Sequence, residues 1–391
     1  MARIVFFCIP AHGHTNPTLG VVRELTARGH EVLYYSYEPF REKIEAAGAR
    51  FVPCDAFDAE LHLTREEAAQ LGSDLALSTR VLVDTTLALD DMVCREMQRL
   101  QPDCIVADSM AVWGKAVAMK LGIPFVSSTT TFAFNQHSAK LMKQSVKELL
   151  SMFLSMPRIK KHIKRLQEKG YPVKSVLDII QNDDKTDTIV YTSAQFQPCA
   201  ETFSDKYAFV GPSIRPAKEI VKKTRETLVY ISMGTVNNDL MSLYRSCIQA
   251  FREAPYQVIL SVGDQVGLEQ FGQLPDHIAV YPSVDQIAVL EKADVFLTHC
   301  GMNSVSEALY HGVPLVMLPK TKEQEAVAAR TEQLGAGLHL AKSTPDDIRR
   351  TVEQVLSEPR YREHARQIAD GFHHCSGAKG AADKIESCCK R

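Results

Sequence analysis

The sequence predicts an α/β protein made of two doubly wound domains, each a parallel sheet with helices on both faces. Three observations carry that expectation. Short apolar runs recur along the chain with helical stretches between them, as expected for strands buried on both faces of a parallel sheet. The alternation pauses once, at the polar, proline-containing "VGPSIRPAKEIVKKTRE", and then resumes. A length of 391 residues with 45% apolar content leaves room for two cores, at roughly 100–200 residues per domain.

In the first half, "RIVFFCIP" reads as a strand and Pro17 to Arg28 as a helix, with Asn16 as N-cap and Pro17 at the first helical position. "EVLYYSY" is the next strand, Phe40 to Ala47 a helix and "RFVP" the third strand. Gly29 and Gly48 stand where helix ends call for a left-handed residue. "DCIVAD" and "PFVSSTT" continue the pattern around the helix "WGKAVAMKLG", and "DTIVYTS" and "YAFVGPS" complete a domain over 1–212. The region from Phe132 to Gly170 reads as helical, and its part "PRIKKHIKRLQEKG" is basic and amphipathic. So short a charge run reads first as a solvated helix face and second as a surface for a membrane or an acceptor.

After the linker, "TLVYISMG", "YQVILSVG", "IAVYP", "ADVFLTHCG", "PLVMLPK" and "GAGLHLA" read as six strands of a second domain over 213–374. A C-terminal helix over about 375–391 can pack back on the first domain. Ligands of open parallel sheets bind beyond the carboxyl ends of the strands, so two such halves are expected to face each other across one cleft.

Forty-five basic and 47 acidic side chains nearly cancel, which removes the basic surface that nucleic-acid binding needs. Ten cysteines without a C-x-x-C pair read as thiols of a reducing compartment. The apolar run after Arg3 is too short for a signal segment or a membrane span. A cytoplasmic protein is expected, with membrane contact open but not expected.

The informative stretch is "FLTHCGMNSVSEALYHGVPLVMLPKTKEQ", residues 296–324. A strand ending at Thr298 opens into a loop with Gly301, and a helix starts near Asn303 or Ser304. Such an N-terminus offers unpaired N–H groups and a partial positive charge to an anion, with His299 and Ser304 as side-chain donors. Equally, Ser304 and Glu307 have the S-x-x-E spacing of a capping box, which needs no ligand. At the other end of the chain, "AHGHTNP", residues 11–17, puts His12 and His14 after the first strand. An H-x-H pair lacks further metal ligands at suitable spacing, so no metal site is expected.

"THCGMNSVSEALYHGVP" with "KEQ" resembles the donor-binding signature of the family 1 glycosyltransferases, which have the GT-B fold, in the form shared by bacterial macrolide-type members. "PAHGHTNPTLGVVRELTARGHEV" resembles the acceptor-side motif of the same family, and matching elements run in order through nearly the whole chain. The resemblance implies inverting, metal-independent transfer of a sugar from a nucleotide donor to a small molecule, with no cofactor. It gives UDP-glucose as the first donor to test, and a flavonoid- or macrolide-like molecule as acceptor. By the same carry-over, His299, Gly301, Asn303 and Ser304 receive the diphosphate, Glu307 the ribose, and Glu323 and Gln324 the sugar hydroxyls. Gly234 and Thr235 of "ISMGT" match the other phosphate-side loop, and "SVDQIAVL" the base-binding turn, with Gln286 matched and the backbone of Val284 facing the base. Two positions depart from the family pattern: Ser283 stands where an aromatic residue is usual and Asp285 where a proline is.

An acceptor hydroxyl is a poor nucleophile until a base removes its proton, and imidazole suits that role near neutral pH. The resemblance selects His14 as the base, leaves His12 lining the site, and makes Asp108 the carboxylate partner that steadies the imidazolium. Without it, Asp108 reads as a helix N-cap. Trp113, Phe132 and Phe134 are the candidate apolar lining for an acceptor. Three other readings compete: a membrane-docked lipid glycosyltransferase using 158–169, a non-catalytic nucleotide-sugar binder, and a dinucleotide oxidoreductase. The last lacks a G-x-G-x-x-G after the first strand.

Overall fold

The computed structural model describes residues 1–54, 74–138, 146–175, 178, 182, 184–234 and 240–390. The chain divides into two compact units, one of Met1–Ser213 with Ser376–Arg391 and one of Ile214–Cys375.

The first unit runs β1 (Arg3–Phe7), α1 (His12–Ala27), β2 (Glu31–Ser36), α2 (Arg41–Glu45), β3 (Arg50–Pro53), α3 (Leu75–Leu100), β4 (Cys104–Asp108), α4 (Val112–Leu121), β5 (Phe125–Thr129), α5 (Val146–Glu168), β6 (Asp187–Val190) and β7 (Tyr207–Phe209). Its strands form one sheet in the order β3-β2-β1-β4-β5-β6-β7. Every pairing is parallel. The run "IVFF" is apolar throughout because both faces are covered. Val5 and Phe7 join a core with Trp113, Ile159 and Ile163 on one side, while Ile4 and Phe6 join another with Leu19, Val22 and Leu25 on the other. Strand side chains alternate between faces, so successive residues of β1 feed two different cores.

One expectation fails here. The first helix begins at His12 with Ala11 as an extended N-cap, and Pro17 lies inside it. The Ala11 carbonyl accepts the N–H groups of His14 and Thr15, which starts the helix five residues before Pro17. A proline near a helix start removes one N–H but keeps a helical φ, so the turn ahead of it survives. Both histidines of "AHGHTNP" therefore sit on the first turn of a helix, and Asn16 caps nothing.

The second unit runs β8 (Leu228–Ser232), α6 (Met241–Phe251), β9 (Gln257–Ser261), β10 (Ile278–Tyr281), α7 (Gln286–Leu290), β11 (Val295–Thr298), α8 (Met302–Tyr310), β12 (Leu315–Met317), α9 (Lys322–Gln333), β13 (Gly337–His339), α10 (Pro345–Ser357) and α11 (Pro359–His373). Its sheet has the order β10-β9-β8-β11-β12-β13, again parallel throughout. A final helix α12 (Gly377–Cys389) belongs to the first unit. Ala381, Ala382, Ile385 and Cys388 complete the core beside Leu25. His30 pairs with Glu386 at 2.8 Å, Arg28 with Asp383 at 2.6 Å and Lys384 with Asp187 at 2.9 Å. Among the described residues no helix is long and apolar enough to cross a membrane.

Both sheets reverse their winding once, between β1 and β4 in the first unit and between β8 and β11 in the second. At such a switch point the connections leave in opposite directions and open a crevice beyond the strand ends, where ligands of doubly wound sheets bind.

Candidate active-site residues at two switch points

In the first unit, Phe7 of β1 lies in register with Ala107 of β4, so the segments that follow these strands emerge side by side. His14 comes from the first turn of α1 and Asp108 from the last position of β4. His14 Nδ1 stands 2.8 Å from Asp108 Oδ2 and 3.1 Å from Thr130 Oγ1, just past β5. The Asp108 side chain is fully buried and that of His14 is 18% exposed. An ionised carboxylate only accepts, so the imidazole proton sits on Nδ1 and the lone pair on Nε2. The other carboxylate oxygen, Oδ1, accepts the Met110 N–H at 2.9 Å. Asp108 thus holds a turn and a histidine at once, and Ala111, not Asp108, is the N-cap of α4. Behind the pair, burial and the Asp108 charge push the Cys8 thiol up, so it stays protonated.

His12 is exposed, tilts against the Phe40 ring with centroids 5.0 Å apart and places Nδ1 3.2 Å from Lys43 Nζ. Burial and the Lys43 charge hold its pKa down. Trp113 is 8% exposed and belongs to the core under β1. Phe132 is buried against Phe196, with ring centroids 5.5 Å apart, and Phe134 is partly exposed. The two most buried rings of the expected acceptor lining are packed as core.

In the second unit, Ser232 of β8 pairs with Thr298 of β11, and the chain continues to Gly234 and His299. A Cβ on Gly234 would stand 2.5 Å from His299 Cε1, and one on Gly301 2.8 Å from His299 Nε2. The imidazole is therefore walled by two glycines. Its Nδ1 is buried with no hydrogen-bond partner among the described residues. Burial pushes its pKa down to about 4, so the ring is neutral at neutral pH. The chain turns from β11 into α8 through Cys300, which takes a left-handed φ of 69°, a conformation that disfavours side chains.

Helix α8 starts at Met302 with Gly301 as N-cap and no side-chain cap. Ser304 is thus inside the helix, and the S-x-x-E spacing forms no capping box. Val305 N–H gives the first intrahelical bond to the Gly301 carbonyl, so the amides of Met302, Asn303 and Ser304 come before the ladder and carry the positive end of the dipole.

Glu307 is engaged from the side instead. Gln286 Nε2 donates to its Oε2 at 2.5 Å and approaches Ser304 Oγ at 3.4 Å, while the Tyr230 hydroxyl donates to Gln286 Oε1 at 3.1 Å. Burial raises the Glu307 pKa above its ordinary 4.5, and the Gln286 bond and Arg215 charge oppose that rise. Val284 is partly buried, whereas Ser283 and Tyr281 are exposed. Thr235 lies outside the described residues. Glu323 is exposed at the start of α9. The Gln324 side chain closes a capping box with Thr321, its Oε1 accepting the N–H groups of Lys320 and Thr321 at 2.8 and 3.2 Å. The capping box anticipated at Ser304 is found one helix later.

Sequence reasoning missed Thr130, Tyr230 and Arg215. Thr130 sits in "SSTTT", where only register identifies the threonine that reaches the histidine. Tyr230 is a buried strand residue that looks like core. Arg215 falls in the linker, whose composition suggested an exposed connection. It pairs with the buried Asp285, which also accepts the backbone N–H groups of Lys218 and Glu219 at 2.5 and 3.1 Å. The departure from proline at 285 was the one available signal.

Residues 247–376 match the family model of the erythromycin biosynthesis protein CIII-like C-terminal domain. The NDP-glycosyltransferase YjiC of Bacillus licheniformis is 31% identical over 98% of this chain and 97% of its own. The demethyllactenocin mycarosyltransferase of Streptomyces fradiae is 30% identical over 99% of this chain and 86% of its own. Among solved structures, the kitacinnamycin glycosyltransferase superposes with a TM-score of 0.86 at 27% identity, covering 99% of this chain and 98% of its own. The calicheamicin glycosyltransferase CalG4 gives 0.83 at 27% identity, covering 100% and 99%.

Proposed function

The chain belongs to the bacterial family 1 glycosyltransferases of the GT-B fold, and from that premise we propose that it moves a hexose from a nucleoside diphosphate to a nucleophile of an apolar small molecule, with inversion and without a metal. The observation that carries this reading is the His14 Nδ1–Asp108 bond at a switch point. It turns the lone pair of Nε2 into a general base. In the proposed step Nε2 takes the acceptor proton and the freed oxygen attacks the anomeric carbon. The carbon–oxygen bond to the diphosphate breaks, its electron pair leaves with the phosphate, and one displacement inverts the centre. Asp108 stabilises the imidazolium that forms.

On the donor side, the leading amides of α8, with Gly234, Thr235 and His299, receive the diphosphate, and the helix dipole takes up the leaving charge. Glu307, turned by Gln286, binds the ribose. Val284 and Gln286 face the base, and Glu323 and Gln324 the sugar. UDP-glucose is the first donor of choice: a Bacillus subtilis relative 30% identical to this chain is described as a UDP-glucosyltransferase. The mycarosyltransferase and the oleandomycin glycosyltransferase of Streptomyces antibioticus suggest macrolide-like acceptors. The test is a matrix of UDP- and dTDP-sugars against flavonoid and macrolide acceptors, with product mass spectra and chelator controls. Product with the opposite anomeric configuration that persists in chelator is expected. Retained configuration, or activity lost to chelator and restored by magnesium, would overturn the mechanism.

A further inference from the structure

His14 Nδ1 faces two oxygens of different chemistry, Asp108 Oδ2 at 2.8 Å and Thr130 Oγ1 at 3.1 Å. A carboxylate accepts and does not donate, so Asp108 dictates which ring nitrogen carries the proton. A hydroxyl donates or accepts and is compatible with either tautomer, so Thr130 does not make that choice. What it can fix is the direction of the ring. A hydrogen bond tolerates bending until its angle falls below about 120°. One partner alone therefore lets the Nδ1–H swing, and the swing carries Nε2, the atom that meets the incoming nucleophile, along with it. A second oxygen beside the same N–H resists a swing away from itself, as in the three-centre bonds common in proteins.

Thr130 is itself held in place. It is 3% exposed, and His14 is its one hydrogen-bond partner among the described residues. Just before it, the Ser128 carbonyl accepts the Ser109 N–H at 2.9 Å and the Thr129 carbonyl accepts the Tyr191 N–H at 3.1 Å. These bonds tie the end of β5 to the residues that follow β4 and β6. Just after it, the Gln197 side chain brackets Ala133, its Oε1 accepting the Ala133 N–H and its Nε2 donating to the Ala133 carbonyl, both at 3.0 Å. Asp108 is in register with Ser128, so the carboxylate and the hydroxyl reach the ring from adjacent strands. A side chain fixed at both ends of its segment can hold a partner to within fractions of an ångström, which is the precision that orientation at a reacting atom demands.

Resting on the reading of His14 as general base, we propose that Thr130 is a positioning residue for the transfer step: its hydroxyl fixes the direction of the imidazole and so aims Nε2 at the nucleophile, while Asp108 sets the tautomer. No proton passes through Thr130. Its oxygen accepts the Nδ1–H both before and after Nε2 takes the proton of the nucleophile.

The experiment is steady-state kinetics of the full chain with UDP- and dTDP-glucose and flavonoid and macrolide acceptors, beside calorimetric donor binding. Thr130→Val keeps the volume and branching of the side chain and removes the hydroxyl. It is expected to lower kcat by about three- to tenfold, the worth of one neutral hydrogen bond, with donor Kd and both KM values within about twofold of wild type. Thr130→Ser, which keeps the oxygen, should recover most of the rate. Thr130→Ala should be as slow as the valine variant and carries the test if that variant does not fold. In His14→Ala, adding Thr130→Val should cost nothing further, because the hydroxyl acts through the ring. A wild-type kcat in Thr130→Val, a loss confined to KM, a serine variant as slow as the valine one, or an equal further loss in His14→Ala overturns the role of Thr130 and leaves His14 as the base. His14→Ala turning over like wild type, or a wild type that forms no glycoside, overturns the general-base reading and this proposal with it.

Discussion

The two switch points have the same topology and opposite chemistry. At the first, the imidazole of His14 is held by a buried carboxylate and lies beside a threonine hydroxyl. At the second, the imidazole of His299 is walled by glycines, has an Nδ1 without a partner among the described residues and is driven neutral by burial. In the proposed mechanism the first ring gains a proton, whereas burial keeps the second from gaining one. The winding of the sheet fixes where a ligand can go, while the partners around each histidine decide what can be done there.

The largest effect that would break this contrast is at His14. His14→Ala is expected to lower kcat by ~10²–10⁴-fold with donor affinity kept, the usual worth of a general base. His12→Ala should lose far less, because that ring faces Lys43 and Phe40. Equal losses in steady-state kinetics would remove the distinction between the two.

Next in size is Asp108→Asn, where an amide can turn its N–H₂ to the imidazole and select the wrong tautomer. A drop of about tenfold or more in kcat is expected, smaller than at His14 if Thr130 still holds the ring. An unchanged rate would reduce Asp108 to the turn it forms with Met110.

The second switch point is sharpened by Gly301→Ala. The φ of Gly301 is −59°, so an alanine there is unstrained, and the three atoms nearest its Cβ all belong to the His299 ring. Overpacking of this kind costs about 1–3 kcal/mol. The loss should appear in the donor Kd, and a Kd equal to wild type would mean that the ring yields its place freely.

A pH titration of stability separates the two histidines further. The His299 pKa is pushed below its ordinary 6.5 to about 4. Its contribution is therefore complete above 6.5 and is lost as pH falls toward 4, since the unfolded chain takes the proton first. His299→Asn should flatten that part of the curve in denaturant unfolding measured pH by pH. A slope identical to wild type would assign the acid sensitivity elsewhere.

The smallest expected effect is at Ser283. An aromatic ring stacked on a base is worth ~1–3 kcal/mol, and Ser283→Trp should tighten donor binding if the exposed face beside Val284 is open. Weaker binding would mean that another side chain, such as the exposed Tyr281, covers the base.

The strands were legible because each is buried on both faces: "IVFF" and "VFLT" need no partner to declare themselves, and the glycines after the helices mark the returns. Helix starts were not. Asn16-Pro17 has the composition of a cap, yet the Ala11 carbonyl captured His14 and Thr15 first. Ser304 and Glu307 have capping-box spacing, yet the helix began two residues earlier and Glu307 turned to Gln286. An N-cap is a competition among nearby acceptors for the leading N–H groups, and neighbours settle it by fractions of a turn.

By itself the sequence determined two parallel sheets, the linker between them and the residue types at each strand end, because burial period and turn chemistry are local. Only the tertiary structure decided which of those residues meet. Thr130 reaches His14 across 116 positions and Arg215 reaches Asp285 across 70. Hydrogen bonds of that span depend on register between strands and loops far apart in the chain, and a side chain's partner is set by a distance of about 3 Å that no local pattern encodes.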